Sequence, residues 1–156
     1  MNCPIEGVVI RALRLYTDER GWLTELFRHD ELPPDLRPVM SYLSMTRPGA
    51  ARGPHEHRAQ TDCFCFPGPS TFRLYLWDNR TGSRTYRNAF RVDLGEALPA
   101  MVIVPPGVIH GYRNIGNADG PVFNAPNRLY AGEGRKLAVD EIRYEDAPES
   151  PYQISD

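Results

Sequence analysis

The sequence contains no hydrophobic run near the roughly 18 residues of a membrane-spanning helix, which argues against a membrane partner. Its first stretch, MNCPIEGVVIRALRLY, lacks the basic-then-apolar layout of a secretion signal. Cysteine is scarce: Cys3, Cys63 and Cys65 are the only three. An odd count without a secretion signal argues against a disulfide framework. Together these absences predict a cytoplasmic protein. Neither charge dominates, with 18 Lys and Arg against 20 Asp and Glu and a net charge of −2. The arginines are scattered rather than striped, so a nucleic-acid partner is not expected. No long segment carries a 3.6-residue apolar period, and there is no internal repeat, low-complexity tract or linker. At 156 residues the chain fits a single domain.

What the sequence does have is punctuation. Fifteen prolines and thirteen glycines cut it into short pieces. The pieces read as strands: residues 7–16, 22–27, 39–45, 63–66, 71–77, 85–94, 100–104, 108–115 and 121–124. Many short strands separated by regular turns predict an all-β sandwich or barrel. The barrel is expected over about residues 5–125. The charged, irregular remainder, about 126–156, is expected to wrap the domain or add a short helix.

The chemistry concentrates in GPHEHRAQTD, which holds two of the four histidines. His55 and His57 are two apart, so on a strand they share a face while Glu56 points away. Asp62 follows nearby and His110 comes after VPPG. Three imidazoles and a carboxylate converging from several strands are a plausible divalent metal set, for Fe, Mn, Ni or Zn. His29, in FRHDELPP, reads as a surface residue.

These residues resemble the cupin superfamily. Gly49, His55, His57, Asp62 and Gly68 follow its first motif, G-x5-H-x-H-x3,4-E-x6-G, with Asp for Glu and one residue fewer before the last glycine. Pro105, Gly107, His110 and Asn114 match every fixed position of the second, P-x-G-x2-H-x3-N. The resemblance implies a double-stranded β-helix, or jelly-roll barrel, with His55, His57, Asp62 and His110 turned into its mouth.

Four further stretches are similar to the dTDP-4-dehydrorhamnose 3,5-epimerases, which are metal-free cupins. They are DERGWLTE (18–25), RGPH (52–55), DNRTGSRTY (78–86) and VPPG through His110-Gly111-Tyr112. The resemblance implies an isomerase of deoxysugar and polysaccharide biosynthesis that needs no cofactor. It would remove a proton next to the ketone of a nucleotide-linked 4-keto-6-deoxy sugar. His55 would be the base, a task suited to a group titrating near neutral pH. Asp140, with Asp146 second, would orient it, and Arg52 would pair bidentately with a phosphate. Arg20, Glu25, Tyr42, His110, Tyr112 and Phe123 would line the substrate site. The family's proton-donating tyrosine aligns with Phe123, which has no proton to give, so Tyr130 or Tyr112 is the substitute. The family's lysine falls on Asp62, and Met40 and Tyr42 stand where the family has Gln and Asn. A metal on His55, His57, Asp62 and His110 could replace that lost cation as a Lewis acid. Glu56, Tyr42 or a metal-bound hydroxide would then be the base. RGPHEH also resembles the R-G-x-H-A-H of the sugar-nucleotide 3,4-ketoisomerases, which likewise enolise keto-sugars. The other readings are a metal-dependent cupin acting on another small substrate, and a non-catalytic sugar-nucleotide binder.

Cys63 and Cys65 read as core packing, with soft ligands as the alternative. Phe72, Tyr75 and Trp77 alternate along one strand as core or as a base-stacking surface, with Arg73 as surface or phosphate contact. Residues 124–136 read as a loop over the cavity mouth. Related epimerases exchange N-terminal strands, so residues 5–16 are expected to join a homodimer.

Overall fold

The computed structural model describes residues 1–155. Strand β1 is Val9–Ala12, and β2 (Leu15–Asp18) pairs with β3 (Gly21–Thr24) as a separate hairpin. Then come β4 (Tyr42–Thr46), β5 (Ala51–Glu56), β6 (Asp62–Phe66) and β7 (Thr71–Asp78). They are followed by β8 (Ala89–Gly95), β9 (Ala100–Val104), β10 (Val108–Asn114), β11 (Gly120–Asn124) and β12 (Ile142–Arg143). Two five-stranded antiparallel sheets result, ordered β1-β9-β6-β11-β4 and β12-β5-β10-β7-β8. The chain crosses repeatedly from one sheet to the other. The order β9-β6-β11-β4 facing β5-β10-β7-β8 is that of a jelly roll, the cupin architecture.

Period-two alternation separates two apolar layers. Phe64, Phe66, Val102, Val104 and Val122 turn inward and meet Phe72, Leu74, Leu76 and Tyr112 between the sheets. Full burial of a side chain such as Phe66 stabilises by about 1.5–3 kcal/mol. The odd-numbered neighbours Cys63, Cys65, Met101, Ile103 and Phe123 turn outward, where Leu13, Leu26, Phe27, Leu32 and Leu36 cover them. This is why β6 and β9 are buried on both faces. Both cysteines belong to this outer layer, which bears out packing and sets aside the soft-ligand alternative.

Three expectations need correction. Residues 7–16 are not one strand: Leu13 turns into the outer layer and donates its N–H to Pro99, splitting β1 from β2. RGP, outside every expected strand, lies inside β5. Residues 85–88, expected to begin the strand 85–94, instead continue a loop folded on Asp78, and β8 starts at Ala89. The Asp78 carboxylate accepts from the Arg80 backbone N–H and guanidinium and from the Ser83 and Thr85 hydroxyls, at 2.6–3.1 Å. Burial alone would raise its pKa, but these donors outweigh it and hold the carboxyl well below the usual range.

The aromatic strand is also structural. Phe72 is in the core, while Tyr75 and Trp77 stack on the outer face of β7. There Tyr152 packs on Trp77 and the Tyr75 hydroxyl donates to the Ser155 carbonyl. Arg73 pairs with its cross-strand partner Asp93 at 2.8 and 2.9 Å. The C-terminal residues therefore wrap the second sheet, and among the described ones a helical turn forms at Glu133–Arg135.

Candidate active site

At one end of the jelly roll a cavity of about 620 Å³ opens. His55, His57, Gln60 and Tyr42 form one wall, and residues 126–133 and 137–141 close it from above. The loop over the mouth is thus where the turn-rich sequence predicted it.

His55 on β5 sits opposite His110 on β10. Gly53 makes that approach possible. Its φ is +82°, and a Cβ there would lie 2.8 Å from the His110 carbonyl oxygen. The three rings of His55, His57 and His110 lie within 5.7 Å of one another, centroid to centroid. Asp62, at the start of β6 and fully buried, reaches them from the other sheet. Its Oδ2 is 3.1 Å from His57 Nε2 and 3.3 Å from His110 Nε2. Its Oδ1 accepts from Gln60 and Asn124 at 2.9 and 2.8 Å. Asn124 also donates to the Tyr42 hydroxyl at 2.9 Å.

Each histidine has a different environment. His57 Nδ1 donates to the Asp140 carbonyl, and His110 Nδ1 donates to the Val108 carbonyl at 2.9 Å. Burial opposes charge on His57, but Asp62 outweighs it and raises the pKa, so this spot attracts positive charge. Burial also tends to neutralise Asp62, yet His110 and His57 keep it ionised. His55 is pushed down to about 2, by burial first and then by the neighbouring His110 and His57, so it is neutral. The Tyr42 ring is at the rim with its hydroxyl turned inward, where burial pushes its pKa up to about 12.

Several expected residues are elsewhere or act differently. Asp140 does not face His55. Its carboxylate accepts the backbone N–H groups of Arg58, Ala59 and Gln60 at 2.9–3.0 Å. The carboxylate facing His55 is its neighbour Glu141, with Oε1 3.6 Å from Nδ1. Phe123 is not in the cavity: it packs outward on Phe27 at 6.5 Å, and the inward residue of β11 is Asn124. A one-residue shift along a strand exchanges its faces. Tyr112 is a core residue whose hydroxyl meets Ser44 at 3.0 Å. Arg52 bonds Thr46 and the Met45 carbonyl at 3.0 Å and lines a separate hollow with Arg47. Arg20 pairs with Asp18 on the β2–β3 hairpin, and Glu25 faces Arg28 at 3.5 Å. Neither lines the cavity of its own chain. Tyr130 does line it, at the rim. Glu56 points away as alternation requires, held by Tyr144 at 2.7 Å and Asn79 at 3.1 Å. Sequence reasoning missed Gln60, Asn124, Arg128, Glu141 and Arg143. Only Asn124 had a signal, its alternation with Val122.

With this geometry in hand, the comparisons are specific. The family profile described as dTDP-4-dehydrorhamnose 3,5-epimerase matches residues 2–143. The chain is 36% identical over 128 residues, 81% of each chain, to a Haloferax volcanii protein described as a probable low-salt glycan biosynthesis epimerase. It is 34% identical to a Bacillus subtilis spore coat polysaccharide biosynthesis protein, over 72% of this chain and 73% of that one. The crystal structure of a dTDP sugar isomerase from Desulfovibrio desulfuricans superposes with a TM-score of 0.83 at 24% identity, covering 98% and 94% of the two chains.

Proposed function

Because the chain belongs to the dTDP-4-dehydrorhamnose 3,5-epimerase family and is a sugar-nucleotide epimerase, we propose that its pocket enolises a nucleotide-linked 4-keto-6-deoxy sugar. The observation that carries this is His55 in the cavity wall with Glu141 behind its Nδ1. His55 is neutral, so its lone pair is free to take the acidic C–H proton beside the ketone. Its low basicity means that the imidazolium needs negative charge nearby. Glu141 supplies one, and the enolate formed in the same step supplies the other. At 3.6 Å Glu141 makes no hydrogen bond to the neutral ring, and it closes on Nδ1 when the imidazolium forms, which makes it a positioning residue. Tyr42 then returns a proton to the carbon: its raised pKa keeps the hydroxyl protonated, and Asn124 holds it in place. Tyr130 at the rim contributes contact surface. Arg128, donating to the Ala59 carbonyl at 3.0 Å, lines the cavity with Arg143 and is the cation for the diphosphate in place of Arg52.

Two copies complete the assembly in this reading. Leu15, Tyr16, Trp22 and Leu23 on the hairpin and Leu43 and Met45 on edge strand β4 are exposed large hydrophobics. Such a surface suits a second copy of the chain. No helix among the described residues is long and apolar enough to cross a membrane. The three free cysteines suit a reducing cytoplasm.

The test is incubation with a dTDP-4-keto-6-deoxy sugar in heavy water. Deuterium should enter next to the ketone with wild type and not with His55→Ala. Tight binding without exchange would leave a non-catalytic binder, and neither binding nor exchange would exclude this substrate class.

A further inference from the structure

Glu141 is the acid that faces His55, and a residue next along its own strand already holds it. Alternation through β12 puts residues 141 and 143 on one face, and both line the cavity. Arg143 is also the register partner of His55 across β5. Its Nε and Nη2 both donate to Glu141 Oε2, each at 3.0 Å. The other carboxylate oxygen, Oε1, stays 3.6 Å from His55 Nδ1, and that nitrogen is buried without a hydrogen-bond partner. The acid that should steady the base is tied to a guanidinium, and the base is left unpartnered.

The incoming substrate competes for the same guanidinium. A diphosphate carries a negative charge on each phosphate. Among the described residues that line the cavity, the lysines and arginines are Arg128 and Arg143 alone. The Arg143 side chain is half exposed, with Nη1 no nearer than 4.0 Å to Glu145. The backbone beside it is pinned. The Tyr144 and Glu145 N–H groups donate to the Pro54 carbonyl at 2.9 and 3.3 Å, and the Tyr144 hydroxyl donates to Glu56 at 2.7 Å. The side chain can therefore turn without moving the strand.

We propose that Arg143 is a positioning and specificity-determining residue that holds Glu141 off His55 until a diphosphate draws its guanidinium away. A phosphate offers that fork two oxygens where Glu141 offers one. Once released, Glu141 has the unpartnered His55 Nδ1–H within reach and closes on it as the imidazolium forms. The base is then steadied only with the diphosphate in place, so a keto-sugar without it is enolised slowly. The inference rests on the substrate class proposed above. Its thermodynamic consequence is reciprocal: phosphate weakens the Arg143–Glu141 pair, and Glu141 weakens phosphate binding.

The test is a double-mutant cycle read by dTDP binding in a calorimeter, with no reaction involved. Each variant is checked for a native circular dichroism spectrum. Arg143→Ala should weaken binding about 10-fold. Glu141→Gln should tighten it about 5-fold, because Arg143 no longer has a carboxylate to leave. In the Arg143→Ala background, Glu141→Gln should change binding by less than ~2-fold. Equal tightening in both backgrounds would overturn the inference, since Glu141 would then act on the phosphate by charge alone. Wild-type affinity in Arg143→Ala, or no dTDP binding by wild type, would overturn it as well. A second readout compares deuterium exchange into a dTDP-4-keto-6-deoxy sugar and into the same keto-sugar 1-phosphate. Arg143→Ala should raise KM for the first more than it lowers kcat, and should bring the two kcat values closer together than in wild type. An equal loss of kcat on both substrates would make Arg143 a structural prop and overturn the switch. The predicted binding cycle without any exchange by wild type would refute the proposed reaction and support the competition for Arg143.

Discussion

Asp78 and Asp62 are both buried carboxylates at the ends of strands, and their surroundings differ in one respect. Asp78 has both oxygens satisfied, by a loop that ties itself to the end of β7. Asp62 has one oxygen held by two amides and the other facing the Nε2 atoms of His57 and His110 at 3.1 and 3.3 Å. A completed polar cluster stabilises the fold. The Asp62 cluster instead lies behind the cavity wall, where it sets the charge of a histidine that lines the cavity. In the sequence DNRTGSRTY enters only as one of the stretches that carry the family resemblance, and the structure shows it as a loop that closes on its own carboxylate.

That contrast can be broken by substitution. The largest expected effect is His55→Ala, a loss of about 10²–10⁴ in epimerisation rate, with the unfolding midpoint close to wild type. Tyr42→Phe comes next, near the lower end of that range, with substrate affinity retained because Asn124 and the ring remain. A full-rate Tyr42→Phe enzyme would transfer the proton donor's role to Tyr130. Around Asp78 the pattern reverses. Asp78→Asn sets an amide donor against the Ser83, Thr85 and Arg80 donors. It should lower stability by about 1–3 kcal/mol while leaving the rate per folded molecule intact. The sign with pH follows from the depressed Asp78 pKa. Its contribution is full above the unfolded value of about 3.9 and is lost as pH falls through the folded one. The gap between wild type and Asp78→Asn should therefore be constant near pH 7 and close below about pH 4.

The sequence carries the strand framework well where both faces of a strand are buried. Residues 100–104 are bounded by turn signals and are apolar throughout, and β9 has those limits. It fails where a residue's usual meaning is overridden by a neighbour. Gly53 and Pro54 fall outside the strands expected from sequence, yet they sit inside β5, where Gly53 clears the His110 carbonyl. The histidine pair was legible because a period of two keeps its members together. Two placements failed: Phe123 was expected to line the substrate site, and Asp140 to orient His55. Phe123 and Asn124 occupy opposite faces of β11. Asp140 turns its carboxylate to the 58–60 backbone while Glu141 turns to His55. Neither choice can be made from composition or motif, since both depend on which way one peptide faces.

The most direct measurement is equilibrium unfolding of wild type, Asp62→Asn and Asp78→Asn, paired with the rate per folded molecule of each. Each carboxylate has a depressed pKa, so each variant should lose stability at pH 7 and each gap should close as the pH falls through the folded pKa. Asp78→Asn should keep the wild-type rate per folded molecule, while Asp62→Asn should lose rate because the charge beside His57 and His110 is gone. A full rate per folded molecule in Asp62→Asn would contradict the account, because Asp62 would then be a structural carboxylate like Asp78.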